Sequence, residues 1–280
     1  MSYQNFIPTV WAETINRDLE RLAVFAEDCN RQYEGQVSEK GDSVKILGVG
    51  KPTIRKIDRA ARNNAITAAE EIEDQSIFMP INQISYFNYK VGDIDKHAAV
   101  DGLMGVLSQE TSEGLAQDVD KYLADLGKSA DTPKIYSTGT TGYTITNETI
   151  MSVIDGAIQK LYENDVPRSA QIVLTLDPKR YFLLKQAYAA LDTDNSAILK
   201  NGKVGMYGNV IVKMSNNIST DATNAYLMIR TQRACAFVHA MTHTEPYRPE
   251  NGFADAVKGF ILYDAKVVRP KEIFSIVAVK

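Results

Sequence analysis

The sequence predicts an α+β protein, because helical and strand-like segments follow one another without a regular strand–helix–strand repeat. A helical pattern of apolar residues between residues 93 and 126 would form one helix about 50 Å long. Segments rich in Val, Ile and aromatic residues, typical of strands, are concentrated after residue 209. At 280 residues, the chain is long enough for one large domain or two modest ones.

The first third of the chain is predicted to contain a helix, a ribbon and a strand. Residues 8–30 carry apolar side chains on one side, as an amphipathic helix does. Residues 77–91, IFMPINQISYFNYKV, are β-branched and aromatic and predict a strand interrupted at Pro80. Asp93 or Asp95 would then cap the long helix.

The remainder is predicted to combine two helices with a series of strands. One helix, capped by Thr146 or Asn147, should end near Asn164. A second should begin at Pro178, whose fixed φ suits the first turn of a helix. Strands are predicted at residues 171–176, 210–214, 225–231, 234–241, 259–270 and 273–279.

Composition limits the possible functions. The net charge of −4, from 31 basic and 35 acidic residues, gives no general attraction to nucleic acid. No stretch approaches the eighteen or so uncharged apolar residues that a membrane helix needs. Cys29 and Cys235 are the two cysteines of the chain and stand far apart, so the sequence indicates neither a disulfide framework nor a cysteine-based metal site.

The segment ILGVGKPT, residues 46–53, has some features of a phosphate-binding loop. That motif needs a glycine five residues before the Gly-Lys pair, where Lys45 stands, and a hydroxyl residue after it, where Pro52 stands. The following residues alternate as a strand does, whereas the motif requires a helix. The segment is therefore predicted to be the bend of a hairpin.

Residues 36–62 form a basic ribbon around this bend. This segment contains seven basic and three acidic residues, an excess of four positive charges (7 − 3). Neither arm has enough apolar residues to bury a full face, so the ribbon is expected to contribute little to the core. It is expected either to lie solvated on the surface or to reach a partner on another subunit.

No candidate catalytic, cofactor-binding or metal-binding site is complete in the sequence. His239 and His243 lack the glutamate of the zinc-protease motif. Residues 192–203 open like a calcium loop but lack its glycine and its final acid. The acid pairs 93/95 and 118/120 are interpreted as helix starts or solvated helix faces. We therefore expect no enzymatic activity, no cofactor and no metal.

The chain resembles the major capsid proteins of tailed bacteriophages, which have the Hong Kong 97 capsid fold. The resemblance covers nearly the whole length and rests on the order and spacing of several segments. These segments are FIPTVWAETINRDLERLAVFAEDCNRQYEG, EKGDSVKILGVGKPTIRKI, ISYFNYKVGDIDK, VIVKMSNNI, ACAFVHAM and GFADAVKGFILYDAKVVRP.

The resemblance implies a division of the chain into five segments. They are an N-terminal arm (1–33), an extended β-hairpin loop with flanking strands (34–92), a peripheral domain with a long spine helix (93–145), an axial domain (146–231) and return strands of the peripheral domain (232–280). It also implies that the loop lies across a neighbouring subunit. The candidate assembly contacts are then Lys45, Lys51, Arg55, Lys56 and Arg59 on the ribbon, and Glu70, Glu71, Glu73, Asp74, Glu110 and Glu113 as acids of a neighbour.

The implied function is a structural shell protein that forms hexamers and pentamers of an icosahedral virion capsid around double-stranded DNA. An encapsulin-like bacterial compartment is the alternative, and an enzyme is the third and least favoured. The implied partners are further copies of the chain, DNA contacted without sequence specificity, a portal and a decoration protein, with no membrane. Because the arm helix begins near residue 8, a separate scaffolding protein is expected. Synthesis is expected in the bacterial host cytoplasm.

Overall fold

The structure, a computed structural model, describes residues 23–33, 43–46, 54, 56, 76–92, 103–138, 141–189, 205–250 and 254–280. Within these residues, helices and strands follow no βαβ repeat, which confirms the predicted α+β class. The helices are α1 (Leu103–Asp125), α2 (Ile150–Glu163) and α3 (Pro178–Ala189). The strands are β1 (Ser43–Ile46), β2 (Ile77–Pro80), β3 (Gln83–Gly92), β4 (Lys134–Ile135), β5 (Ser137–Thr138), β6 (Thr141–Gly142), β7 (Ile172–Leu176), β8 (Met206–Tyr207), β9 (Val210–Met214), β10 (Asn224–Thr231), β11 (Cys235–Tyr247), β12 (Ala254–Val267) and β13 (Ile273–Val279).

A six-stranded mixed sheet forms the first of two main cores. Its strand order is β4-β13-β10-β7-β9-β8, with β7 and β9 parallel and β10 antiparallel to both β7 and β13. All five residues of β7 are buried, which suits its central position. Helices α2 and α3 contribute Ile154, Leu161 and Leu184 to the same apolar cluster. The sheet also includes β4 and β13, which lie outside the predicted segment 146–231.

A three-stranded antiparallel sheet, ordered β11-β12-β3, carries helix α1 on one face. Leu115, Val119 and Leu123 of α1 pack against Phe237 and Tyr263 of the sheet. The 23 residues of α1 correspond to about 35 Å. The predicted start of this helix at residue 93 or 95 lies outside the described residues.

Polar contacts fasten α1 to this sheet. Tyr122 Oη donates to Asp264 Oδ1 at 2.7 Å, and Tyr263 Oη lies 3.2 Å from Asp118 Oδ2. Burial is the main cause that raises the pKa values of Tyr122 and Tyr263, and the pKa of Tyr263 rises to about 12. Both hydroxyls therefore stay protonated and can donate at neutral pH. Ser85 Oγ also donates to Asp118. Asp118 is exposed, as predicted, but its carboxylate also accepts hydrogen bonds from the sheet.

The interpretation of Asp120 as a solvated acid is wrong. Asp120 is 2% exposed, and its carboxylate accepts the backbone N–H groups of Val24 and Phe25 at 2.9 and 3.0 Å. Because these N–H groups bond to Asp120, a second prediction, that of the first helix, also differs from the structure. The helix expected over residues 8–30 does not extend through the described residues 23–30, where only Ala26–Asp28 form a 3-10 turn.

Strands β1 and β2 pair in antiparallel register, from Ser43 opposite Pro80 to Ile46 opposite Ile77. Val44 and Ile46 are each 2% exposed and join a third apolar cluster with Ala236, Val238 and Leu262 of the three-stranded sheet. The expectation that the ribbon contributes little to the core is therefore wrong for its base. The local sequence carries few apolar residues, but those few lie against an apolar sheet face.

A buried carboxylate holds the β10–β11 turn against the 3-10 turn Pro270–Glu272. Glu272 accepts hydrogen bonds from Thr231 Oγ1 at 2.6 Å and from Arg233 Nη2 at 3.1 Å, and Arg269 Nη1 lies 3.0 Å away. Burial alone would raise the pKa of Glu272, but the hydrogen bond from Thr231 and the charges of Arg269 and Arg233 hold that pKa below its usual value.

Glu272→Gln is expected to lower the free energy of unfolding more at about pH 7 than at about pH 3. A carboxylate whose folded pKa lies below its unfolded value of about 4.3 stabilises the fold fully above the unfolded value. This contribution disappears as the pH falls through the folded pKa. Urea unfolding of both proteins across this range measures the difference, and a difference independent of pH would contradict the prediction.

Gly259 of β12 lies where no side chain fits. A Cβ atom there would be 2.5 Å from Phe87 Cζ and 2.7 Å from the backbone oxygen of His243. Gly259→Ala is expected to destabilise the protein by about 1–3 kcal/mol, because the β11 backbone cannot move away from its paired strand. Gly114→Ala is the matched control. A Cβ at this exposed position in α1 meets nothing within 4 Å, and alanine should stabilise the helix by about 0.5–1 kcal/mol. Thermal unfolding of the two variants should show opposite shifts.

Candidate assembly surface

The root of the predicted extended loop is well defined by β1 and β2. Because Ile46 pairs with Ile77, the two ends of the segment 47–76 are adjacent. The buried cluster of Val44, Ile46 and Met79 fixes this root on the three-stranded sheet. The two ends of this segment are therefore attached to a buried, paired base.

The exposed side of this root carries a mixed basic and aromatic surface. Lys45 projects away from the cluster, and its Nζ lies 5.8 Å from the ring centroid of Phe78. Phe78 is 57% exposed, and its backbone oxygen accepts a hydrogen bond from Lys266 Nζ at 2.9 Å. Further along the loop, Ile54 is 90% exposed and Lys56 is also exposed. A single exposed isoleucine is normal on a protein surface, so Ile54 by itself does not mark a contact surface.

The structure describes four of the predicted assembly contacts. Lys45 and Lys56 are exposed on the loop, and Glu110 is exposed on α1. Glu113 is half-buried and accepts a hydrogen bond from Gln109 Nε2 at 3.1 Å within the same helix. The other predicted contacts lie outside the described residues: Lys51, Arg55, Arg59, Glu70, Glu71, Glu73 and Asp74.

A buried arginine that the sequence analysis did not single out anchors the N-terminal segment. Arg230 of β10 is fully buried, and its Nη2 donates to the backbone oxygen of Phe25 at 2.8 Å. Its Nη1 lies 3.1 Å from Cys29 Sγ, and the guanidinium stands 5.6 Å from the Phe25 ring centroid. Asp120, which holds the N–H groups of the same segment, supplies a nearby negative charge.

A second set of contacts holds the same segment from the six-stranded sheet. Lys213 Nζ of β9 lies 2.6 Å from Glu27 Oε2 and 2.9 Å from Asp28 Oδ2. Asn30 continues the attachment through a parallel bridge to Ala236. Residues 23–30 thus join α1, β9, β10 and β11. The signal in the sequence was a single charge within the apolar run AYLMIRT, which indicates a buried, paired arginine.

The histidines and cysteines assemble no chemical site in the described part of the chain. His239 and His243 flank a register shift in β11, and the His243 ring packs 5.7 Å from Phe260. No group of three His, Cys, Asp or Glu residues within the described ranges could hold a metal ion. Both cysteines are free and buried, and burial is the main cause that raises the pKa of each thiol.

Solved structures share this architecture over most of the chain. A chain of Mycobacterium phage Che8 matches with a TM-score of 0.75 and 24% identity, covering 90% of both chains. The capsid of the cyanophage P-SCSP1u matches with a TM-score of 0.72 and 16% identity, covering 91% of this chain and 88% of that one. This chain has the fold of a phage capsid protein.

The capsid fold also occurs in a virus-like particle from Pyrococcus furiosus. That structure matches with a TM-score of 0.57 and 13% identity, covering 94% of this chain and 96% of that one. No family model matches the sequence, and no curated protein does. The described part of the chain contains no helix with the length and hydropathy of a transmembrane span.

Proposed function

We propose that this chain is the major capsid protein of a tailed phage, which assembles into hexamers and pentamers of an icosahedral shell enclosing double-stranded DNA. The main support for the proposal is the match to the P-SCSP1u capsid over about nine-tenths of both chains, because the function of a shell subunit depends on its whole fold. The protein would act as a structural component of the virion and not as an enzyme.

The proposed subdomains follow the sequence boundaries. Residues 1–33 would be the N-terminal arm, 34–92 the extended loop with its flanking strands, 93–145 the spine-helix part of the peripheral domain, 146–231 the axial domain and 232–280 the return strands. The buried root formed by β1 and β2 supports the assignment of the loop, because an arm that reaches a neighbour needs a rigid attachment.

The proposed partners are further copies of the chain, a separate scaffolding protein, a portal and a decoration protein. Packaged DNA would be contacted without sequence specificity, and the net charge of −4 implies no strong general attraction of the subunit to it. The subunit would be made in the host cytoplasm and would then become part of the virion capsid.

The alternative is an encapsulin-like compartment, which the match to the Pyrococcus furiosus particle favours. Electron microscopy of particles purified from producing cells, followed by analysis of their contents, distinguishes the two functions. Double-stranded DNA in closed shells would support a phage capsid, and an enclosed cargo protein would support a compartment. A protein that stays monomeric at high concentration, with or without a scaffolding protein, would contradict both.

Neutralising the basic side chains of the loop is expected to weaken assembly and to make it less sensitive to salt. Each exposed ion pair contributes only about 0–1 kcal/mol, but a shell repeats each contact many times. The fourfold variant replaces Lys45, Lys51, Arg55 and Lys56 by glutamine, and light scattering at several salt concentrations follows its assembly.

A control with the same change in net charge separates local contacts from overall charge. It replaces four exposed basic residues elsewhere by glutamine: Lys121, Lys160, Arg168 and Lys271. Any change in the salt dependence of the control's assembly should reflect only its lower positive charge. If both variants behaved alike, the loop charges would not be specific assembly contacts.

A further inference from the structure

Three tyrosines from separate parts of the chain lie around one exposed carboxylate. Asp155 projects from α2, and Tyr207 Oη of β8 donates to its Oδ1 at 2.8 Å. Tyr188, near the end of α3, packs edge-on against Tyr207 with ring centroids 5.7 Å apart and an interplanar angle of 85°. Tyr136 reaches the same part of α2. These four residues are called the tyrosine–Asp155 cluster below.

The backbone is strained where it places Tyr136. This residue has φ of 59°, the left-handed region that bulky side chains rarely adopt. Its hydroxyl lies against Gly156, the residue after Asp155, where a Cβ atom would overlap it. A strained backbone is kept where the surrounding structure requires it, and such positions are often ligand-binding sites.

The charge of the cluster is not balanced by a cation in the described part of the chain. There, Asp155 has one hydrogen-bond partner, Tyr207, and no ion pair. Asp155 is exposed, and the three tyrosines are half-buried. Burial is the main cause that raises the pKa values of all three tyrosines. The nearby Asp155 charge raises them further, after the contribution of Tyr143 in the case of Tyr136, so their hydroxyls stay neutral and add no second charge.

We propose that the tyrosine–Asp155 cluster binds an alkylammonium group. Tyrosine ring faces attract cations, and aromatic residues grouped beside a carboxylate are a recurring way to recognise ammonium ligands. The free Oδ2 of Asp155 can accept a charge-assisted hydrogen bond while Oδ1 remains bonded to Tyr207. The ammonium group could come from a free polyamine or from a lysine of a second copy. The second source rests on the proposed shell function, whereas the first does not.

Calorimetric titration of the unassembled subunit with spermidine at constant ionic strength tests the site directly. Saturable binding is expected, and Asp155→Asn should weaken it at least about tenfold, because the variant removes the only charge of the cluster. Tyr207→Phe keeps the ring and frees both carboxylate oxygens, so it should retain affinity within about threefold. Asp131→Asn, at an exposed aspartate in the α1–β4 connection, is the matched control and should leave binding unchanged.

A second arm of the experiment identifies the source. If spermidine binds subunits but not assembled shells, and Asp155→Asn also weakens assembly, a lysine of the neighbouring copy occupies the site in shells. If spermidine binds both, the ligand is a free polyamine. No saturable binding to subunits, or equal binding by Asp155→Asn and Asp131→Asn, would overturn the proposal. If no shells form at all, the proposed function fails, while binding to subunits still tests the site.

Discussion

Replacing residues 48–75 with a short Gly/Ser bridge is expected to leave a folded subunit that forms no shells. The replacement keeps β1 and β2 and therefore keeps the buried cluster of Val44, Ile46 and Met79. Because Ile46 and Ile77 are paired neighbours, about four bridging residues suffice to connect Leu47 with Ser76. Circular dichroism and thermal unfolding should resemble those of the intact protein, and sedimentation with electron microscopy should show only unassembled subunits.

A second deletion, of residues 40–62, serves as the contrast. It removes β1 together with Val44 and Ile46, and the loss of large core side chains costs about 2–5 kcal/mol for each. This variant should be strongly destabilised, whereas the 48–75 replacement should not. Normal shells from the 48–75 variant would show that the segment is not an assembly arm, and an unfolded 48–75 variant would show that it belongs to the subunit core.

Arg230→Met is expected to destabilise the subunit by about 3–5 kcal/mol. Methionine fills much of the space but leaves the Phe25 carbonyl without its donor and the buried Asp120 carboxylate without a nearby positive charge. Residues 23–30 should detach, and Cys29 should lose its protection. Urea unfolding measures the first effect, and reaction of Cys29 with a thiol reagent under native conditions measures the second.

Two further variants make this prediction specific. Arg168→Met, which removes an exposed arginine, should change stability by less than about 0.5 kcal/mol and leave the thiols unreactive. Asp120→Asn should destabilise the Arg230→Met protein less than it destabilises the intact protein, because the carboxylate charge has lost its nearby cation in that background. An unchanged unfolding midpoint and unreactive thiols in Arg230→Met would show that the arginine does not hold the segment.

Local patterns predicted most of the described elements. The all-apolar run of β7, the start of α3 at Pro178 and the interruption of the strand at Pro80 each depend on nearby residues. The predicted strand 234–241 is longer, Cys235–Tyr247, because its added residues alternate between a polar exposed side and a covered side. Such patterns are visible in a sequence because the physical cause lies within a few residues.

Long-range contacts could not be predicted in the same way. Arg230 and Asp120 are far in sequence from the residues 24–25 that they hold, and Val44 is buried only because β11 and β12 provide an apolar face. The seven predicted contacts outside the described residues stay predictions. The tyrosine–Asp155 cluster also had no local signal, because its members come from four separate segments.

The order in which the strands are synthesised has a consequence for the folding of this protein in the cell. Both sheets need strands from the segment 254–279: β12 is the middle strand of the three-stranded sheet, and β13 lies between β4 and β10. Strand β3 is therefore complete some 160 residues before synthesis of its partner strand β12 begins (254 − 92). Closing such distant pairs is slow, and the waiting apolar surfaces are open to aggregation. A nascent chain should consequently depend on holding chaperones, and it should become competent for subunit contacts only after translation has passed residue 279.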